Sequence, residues 1–169
     1  MDVIDAIFTR RSIRKYTNQP VSDEQTETLL KAAMYAPSAV NTQPWHFIVF
    51  RDKTMAEKIT AFHPNAHMIK NASLGILVCF DEKLQHDKGY GELDCSAATQ
   101  NILLAAHGLG LGAVWIGIFP RKNRIESIKE LFSLPEDITP LSLVAVGYPD
   151  ERKIAPSRYR TDRIHYEKW

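Results

Sequence analysis

The chain has 169 residues, 44% of them apolar, and its 21 basic and 20 acidic side chains leave a formal net charge of +1. This length suits one compact domain, which we assign to residues 1–169 and which would bury roughly 70% of the surface that the unfolded chain exposes. The near-zero charge argues against nucleic acid or an anionic membrane as a partner, and no apolar run approaches the roughly 20 residues of a membrane-spanning helix.

The first half of the chain is predicted to alternate between helices and strands. Asp2 is positioned to cap a short apolar helix, and this N-terminus lacks the long apolar core of a secretion signal, so we expect a cytoplasmic protein. "SDEQ" at 22–25 is a capping-box pattern and predicts a helix that ends before Pro37. Strands are predicted over 46–50 and 74–80, with one or two short helices between them.

The second half contains the longest predicted helix, residues 92–107, whose apolar side chains occupy most of its surface and indicate a buried central helix. Gly108 is predicted to cap its C-terminus. A strand over 113–119, a helix over about 123–132 and a strand over 141–148 follow. Alternating elements without internal repeats predict an α+β fold.

The cysteines and histidines indicate neither a metal site nor a nucleophile. Cys79 lies in an apolar strand and Cys95 near the start of a helix, so both are predicted to be buried thiols in a reducing compartment. His63 and His67 are four residues apart, but no third ligand accompanies them, and we predict no metal site. No serine or cysteine nucleophile pattern is present, which argues against a nucleophilic hydrolase.

Gly108, Gly110 and Ala113 loosely fit a glycine pattern of dinucleotide-binding proteins. In that pattern a strand precedes the glycines and a helix follows them. Here the predicted helix comes first and the strand second. The sequence therefore does not predict a Rossmann-type site.

Two basic clusters predict a local anion site. The first is "RRSIR" at 10–14, which we call the basic arm, and the second lies in the C-terminal tail, residues 150–169. The tail is polar but ends in aromatic residues, so we expect it to pack on another surface. Arginine binds phosphate through two parallel hydrogen bonds, and a serine hydroxyl adds a donor. For the arm taken alone, a solvated basic surface is the favoured alternative. The residues concerned are Arg10, Arg11, Ser12, Arg14, Arg158, Arg160 and Arg163.

The segment "PSAVNTQPW" joins a predicted helix to a predicted strand, yet it is polar and contains two prolines. Ser38, Asn41 and Gln43 offer neutral donors and acceptors suited to the edge of a heterocycle, and the prolines reduce the ordering cost of binding. A capped turn is the alternative interpretation, although such a turn needs fewer polar residues. We call residues 37–43 the polar loop.

Four motifs, in this order, resemble the nitroreductase family. They are "RRSIRKY", "APSAVNTQPWHF", "DCSAATQNILLAAHGLGLGAVWIG" and "VGYP" before the tail, and together they cover nearly the whole chain. The resemblance is to small FMN-dependent members of the family. It implies an α+β fold around a central mixed or antiparallel sheet, assembled as an intertwined homodimer whose tails pack on the partner subunit, with FMN at the interface.

The resemblance also assigns residues to the two ends of the cofactor. The phosphate and ribityl chain would be held by Arg10, Arg11, Ser12, Arg158 and Arg160.

At the ring, Arg14 would lie near N1 and O2, where a cation stabilises the charge left by hydride transfer. Asn65 would lie at the pyrimidine edge, and the backbone of Ile116 and Gly117 near N5. Some family members carry a lysine at the position of Met68, which implies one cation fewer here. The polar loop of the partner subunit would form the opposite wall through Pro37, Ser38, Ala39, Asn41 and Gln43.

The implied activity is transfer of hydride from NADH or NADPH to flavin N5 and then to a nitroaromatic, quinone or similar acceptor, by a ping-pong mechanism. Because the flavin would do the chemistry, we assign no catalytic side chain. No ribose-binding motif distinguishes NADH from NADPH. The alternatives are a specialised flavin enzyme of the same fold, such as a dehalogenase or flavin-fragmenting enzyme, and a flavin-binding protein without turnover. A basic-armed nucleic-acid-binding protein is the alternative from another class.

Overall fold

Runs of β-branched and aromatic residues form a four-stranded sheet in the computed structural model, which describes all 169 residues. The strands are β1 (Trp45–Phe50), β2 (Leu74–Asp81), β3 (Gly112–Gly117) and β4 (Ile138–Gly147). Their spatial order is β1-β2-β4-β3, and every neighbouring pair is antiparallel. The predicted α+β class is confirmed, and β1 and β3 are the edge strands.

Helices surround the sheet, and two of them begin at the caps that the sequence predicts. The side chain of Asp2 accepts a hydrogen bond from the Asp5 N–H at 2.9 Å, while Ser22 and Gln25 form the capping box. None of the helices combines the length and the apolarity needed to cross a membrane. The α-helices are α1 (Val3–Thr9), α2 (Asp23–Met34), α3 (Lys53–Phe62), α4 (Tyr90–Gly108) and α5 (Lys122–Phe132), and 3-10 segments cover Ala39–Asn41, Pro64–Lys70 and Thr161–Arg163.

Both faces of the sheet are covered. In β2, Ile76 packs in a cluster with residues of α2 and α4, whereas its neighbour Leu77 packs with residues of α3 and α5. The alternation follows from the two-residue period of a strand. As predicted, α4 is largely buried, although Leu93 is 66% exposed.

Cys79 and Cys95 are free, buried thiols, as predicted. The Cys95 thiol donates to the Cys79 carbonyl at 3.3 Å. Burial raises the pKa of Cys79 to about 12 and also raises the pKa of Cys95. Both groups are therefore protonated near neutral pH and lack the thiolate that cysteine chemistry requires.

Two strands differ from their predicted bounds by more than one residue at one end. β4 begins at Ile138, earlier than predicted, because Pro140 is accommodated where the pairing with β2 shifts register. β3 ends at Gly117 rather than at residue 119, because the N–H groups of the next two residues both donate to the Leu141 carbonyl. The regular ladder cannot continue once two donors share one acceptor.

Two terminal segments expose apolar side chains. α1 has no buried residue, and its Phe8 is 67% exposed. In the tail, the side chains of Tyr166 and Trp169 are 82% and 100% exposed. These surfaces are more apolar than a solvated terminus requires.

The predicted cap at Gly108 is wrong, because α4 continues through that residue and Gly110 adopts the left-handed conformation, with φ of 76°. The Gly110 N–H donates to the His107 carbonyl at 3.0 Å, and the Leu111 N–H donates to the Ala106 carbonyl at 2.8 Å. These two bonds make a Schellman motif in which the glycine after the cap supplies the positive φ. Both glycines suit a helix end by composition, so the sequence alone does not distinguish them.

We predict opposite effects of alanine at these two glycines. A Cβ at either position meets no atom within 4 Å, so each substitution changes the free energy of unfolding only through the backbone conformation of that residue. Gly110→Ala should lower the free energy of unfolding by about 1 kcal/mol, because alanine is strained at positive φ. Gly108→Ala should leave it unchanged or raise it by up to about 1 kcal/mol. Urea denaturation of both variants measures the free energy of unfolding, and equal effects would contradict the assignment of Gly110 as the left-handed residue that ends α4.

Candidate functional site

The outer edge of β3 offers backbone hydrogen-bonding groups that β4 does not use. On this side the Ala113 carbonyl accepts from the Ile13 N–H at 3.0 Å. Backbone groups of alternate residues in a strand face the same side, so those of Trp115 and Gly117 also face this edge. An edge of this kind can bind a flat ligand through main-chain bonds.

The basic arm lies along the β3 edge, where it forms a backbone bridge and where a glycine allows its close approach. Ser12 forms a parallel bridge with Ala113. A Cβ at Gly112 would lie 2.6 Å from Cγ2 of Ile13, so only glycine admits the arm at this distance. The Tyr16 hydroxyl then donates to the Ile13 carbonyl at 2.6 Å and holds the end of the arm.

The start of the tail also fixes the backbone of the arm. Lys153 Nζ donates to the Ser12 carbonyl at 2.8 Å, and Glu151 Oε1 accepts from the Arg14 N–H at 2.6 Å. That backbone bond is the main cause of the lowered pKa of Glu151, which keeps the carboxylate ionised. The arm is therefore anchored by strand and tail together.

A cavity of about 710 Å³ lies between the end of α1, the arm and the tail, and we call it the arginine cavity. Arg10, Arg11 and Arg158 line it, and none of the three forms a salt bridge. Burial and the charges of the other two arginines lower the pKa of Arg10. Uncompensated cations that repel one another favour a bound anion, and a phosphate is the anion that arginine forks fit.

A second cavity, of about 380 Å³, opens at the β3 edge, and we call it the edge cavity. It brings together four residues predicted for the ring: Arg14, Asn65, Ile116 and Gly117. It contains no carboxylate, and its arginines are Arg14 and Arg124. Its other lining residues are His63, His67, Met68, Val114 and Trp115.

The Gly117 carbonyl holds two side chains of the edge cavity in place. It accepts from Arg124 Nη1 at 2.8 Å and from His63 Nε2 at 2.9 Å, so the ring proton of His63 lies on Nε2. Burial lowers the pKa of His63, and the positive charge of Arg124 lowers it further, so this imidazole is neutral near pH 7. Its other nitrogen, Nδ1, is buried without a partner.

The polar loop lies away from both cavities of its own chain, because it precedes β1, at the opposite edge of the sheet from β3. Its backbone is strained, since Val40, Asn41 and Gln43 have positive φ angles of 51°, 57° and 48°. Ser38 Oγ accepts from the Gln43 N–H at 3.0 Å, which closes the loop. The predicted loop residues that one chain does not bring to the cavities are Pro37, Ser38, Ala39, Asn41 and Gln43.

A buried carboxylate of α4 supports this loop and has no sequence signal. Asp94 is 5% exposed, and its Oδ1 accepts from the Ala39 N–H at 3.1 Å. Its Oδ2 is buried without a partner. Burying a carboxylate is costly unless it is hydrogen-bonded, and here the hydrogen bond comes from the loop backbone. Asp94 therefore helps to hold the loop in its strained conformation.

Two other predicted phosphate-site residues lie outside the cavities. Ser12 contributes its carbonyl to Lys153, and the exposed side chain of Arg160 forms a two-pronged ion pair with Asp162, both bonds being 2.9 Å. Sequence reasoning missed Arg124, since an arginine at the start of a polar helix is ordinarily solvated. No three histidine, cysteine or carboxylate side chains converge on a metal position.

Comparison with known proteins finds one matching family model and several similar chains. A model of the nitroreductase family matches residues 7–64 and 63–148. The chain is 52% identical, over all its 169 residues and 88% of the other chain, to a Methanothermobacter thermautotrophicus protein provisionally named as an NADH dehydrogenase/NAD(P)H nitroreductase.

Two solved structures are similar over their full length. An FMN-dependent nitroreductase from Clostridium difficile R20291 has a TM-score of 0.91 at 30% identity, covering 99% of this chain and 100% of that one. A Desulfovibrio desulfuricans protein, provisionally assigned as a nitroreductase and solved in complex with FMN, has a TM-score of 0.87 at 33% identity, covering 100% and 98%.

We predict that removing the Asp94 carboxylate loosens the polar loop. Asp94→Ala should lower the free energy of unfolding by about 1–3 kcal/mol, because the Ala39 N–H loses its buried acceptor. Hydrogen exchange of the Ala39 amide should accelerate with it. Asp94→Asn keeps an oxygen that can accept the same bond and should change both quantities less. Equal exchange in the wild type and Asp94→Ala would show that the carboxylate does not hold the loop.

Proposed function

The chain belongs to the nitroreductase family, and we propose that residues 1–169 form one FMN-binding unit of an oxidoreductase that uses NADH or NADPH. One observation carries the proposal: a single extended segment, the basic arm, runs from the arginine cavity, where Arg10 and Arg11 lie beside Arg158 of the tail, to Arg14 in the edge cavity. An extended chain covers about 3.3 Å per residue, so the arm can separate the Cα atoms of Arg10 and Arg14 by up to about 13 Å. A nucleotide with a charged phosphate at one end and a flat ring at the other matches this arrangement.

The donor groups present at each end suit the two ends of FMN. The phosphate end would be held by Arg10, Arg11 and Arg158, whose charges have no carboxylate partners. The family resemblance adds Ser12 and Arg160, and Arg160 would have to exchange its ion pair with Asp162 for the cofactor. Burial and, after it, repulsion by Arg11 and Arg158 lower the pKa of Arg10, and a dianionic phosphate would relieve that repulsion.

At the ring end, the edge cavity offers main-chain groups, the Asn65 amide and the positive charge of Arg14 to a flavin ring. Asn65 offers an amide to the pyrimidine edge, and the outward-facing backbone of Gly117, next to Ile116, would lie near N5. Arg14 would stabilise negative charge over N1 and O2. When bound, the flavin supplies the hydride chemistry, so the chain needs to bind and orient the reactants rather than provide an acid or base.

Three observations support a homodimer with an FMN at each interface. The apolar side chains of α1 are exposed, the tail ends in exposed aromatic residues, and the polar loop lies far from its own chain's cavities. Each is accounted for if a tail packs across the partner subunit and the partner's polar loop forms the second wall of the ring site. In a symmetric dimer both sites are completed in the same way.

The order in which donor and acceptor bind follows from the flavin face that they would share. We propose that the nicotinamide nucleotide and the acceptor bind the same open face of the flavin ring, so the two cannot be bound at the same time. The nicotinamide nucleotide would therefore leave before a nitroaromatic, quinone or similar acceptor enters. This order is a ping-pong mechanism.

The visible absorption spectrum tests the proposal directly. Protein loaded with FMN should show a flavin band that bleaches when NADH or NADPH is added under argon and returns when a quinone or nitroaromatic is added. Initial rates should give parallel double-reciprocal lines for the two substrates. Protein that stays colourless after incubation with FMN would contradict the cofactor assignment, and intersecting lines would contradict the ping-pong order.

A further inference from the structure

Arg124 is a fixed cation in the edge cavity that the family resemblance does not account for. It lies in the first turn of α5, lines the cavity, and forms no salt bridge. Burial lowers its pKa, with a further contribution from the charge of Arg121, but a guanidinium retains its proton. The cavity therefore holds two permanent positive charges, those of Arg14 and Arg124.

The position of Arg124 is restricted by its contact with the Gly117 carbonyl. The 2.8 Å bond from Nη1 uses one of its donors and leaves the others available. The second bond to this carbonyl, from the buried His63, holds the acceptor itself in place. A charge held in this way loses little conformational freedom when a ligand acquires negative charge beside it.

The neighbouring groups do not supply the same charge. The neutral His63 contributes none, and Met68 is buried and apolar. Arg121 is exposed and does not line the cavity. Since the cavity also lacks carboxylates, nothing in it neutralises Arg124.

We propose that Arg124 is the second fixed cation of the flavin site and raises the reduction potential of bound FMN. The inference rests on the function proposed above. A hydride from the nicotinamide C4 carries two electrons and one proton to N5, leaving oxidised nicotinamide and one added negative charge on the ring. Arg124 and Arg14 stabilise that charge, so the site binds reduced FMN more tightly, relative to oxidised FMN, than a site with Arg14 alone.

The test compares Arg124→Gln with Arg121→Gln, which removes a charge at the exposed cap of the same helix. Equilibration with a reference dye gives the midpoint potential of bound FMN, and fluorescence titration gives the affinity for oxidised FMN. In Arg124→Gln the ratio of reduced to oxidised affinity should fall about tenfold, equal to about 30 mV for two electrons. Arg124→Lys should retain most of the potential, and Arg121→Gln should change it little.

Each outcome bears on the inference. A potential in Arg124→Gln equal to that of Arg121→Gln would overturn it. Equal weakening of oxidised and reduced FMN would assign Arg124 a purely structural role and would also overturn it, and thermal unfolding of the cofactor-free variants shows whether the fold has been lost. If the wild-type protein binds no FMN, the proposed function itself fails, and that result is obtained before any variant is made.

Discussion

Unpaired guanidinium charge is the constraint on which the rest of the site depends. The chain is nearly neutral, yet its two cavities hold five arginines without a salt bridge to any carboxylate. Burial and mutual repulsion lower the pKa of Arg10, so gathering these side chains is unfavourable without an anion. A nucleotide that is negative at its phosphate, and becomes negative at its ring on reduction, relieves this repulsion at both ends. The five arginines are Arg10, Arg11, Arg14, Arg124 and Arg158.

The second constraint is the position of the cavities at the outer edge of β3. An edge strand leaves half of its backbone groups unpaired, and here the basic arm covers one part while the edge cavity exposes the other. The polar loop, held in strained geometry by Asp94, lies at the opposite edge of the sheet. A strained and polar loop that lines neither cavity of its own chain is explained if it faces the site of a second subunit, as proposed.

Features set by neighbouring residues could be predicted from the sequence. The capping box at Ser22, the strand leading to Gly117 and the arm itself follow from short patterns, and two of the four motifs, the first and the third, supply residues that line the cavities. Contacts between distant residues could not be predicted in this way. Asp94 is 55 positions from Ala39, and Arg124 acts through a carbonyl of another element. The left-handed glycine that ends α4 is Gly110 and not Gly108, which shows that composition places a turn only to within a residue or two.

The central claim is that each flavin site is built from two chains, and a subunit-mixing experiment tests it most directly. One chain carries Arg10→Gln with Arg11→Gln, the other Asn41→Ala with Gln43→Ala, and different affinity tags allow the heterodimer to be purified. Loss of each arginine contact should weaken FMN binding about 10- to 100-fold, so the first parent, which loses two, should be weakened by at least about that factor. The heterodimer should nevertheless bind one FMN with wild-type affinity, because one of its sites combines the two intact walls. A heterodimer with two weakened sites, or a protein that does not dimerise, would contradict the account.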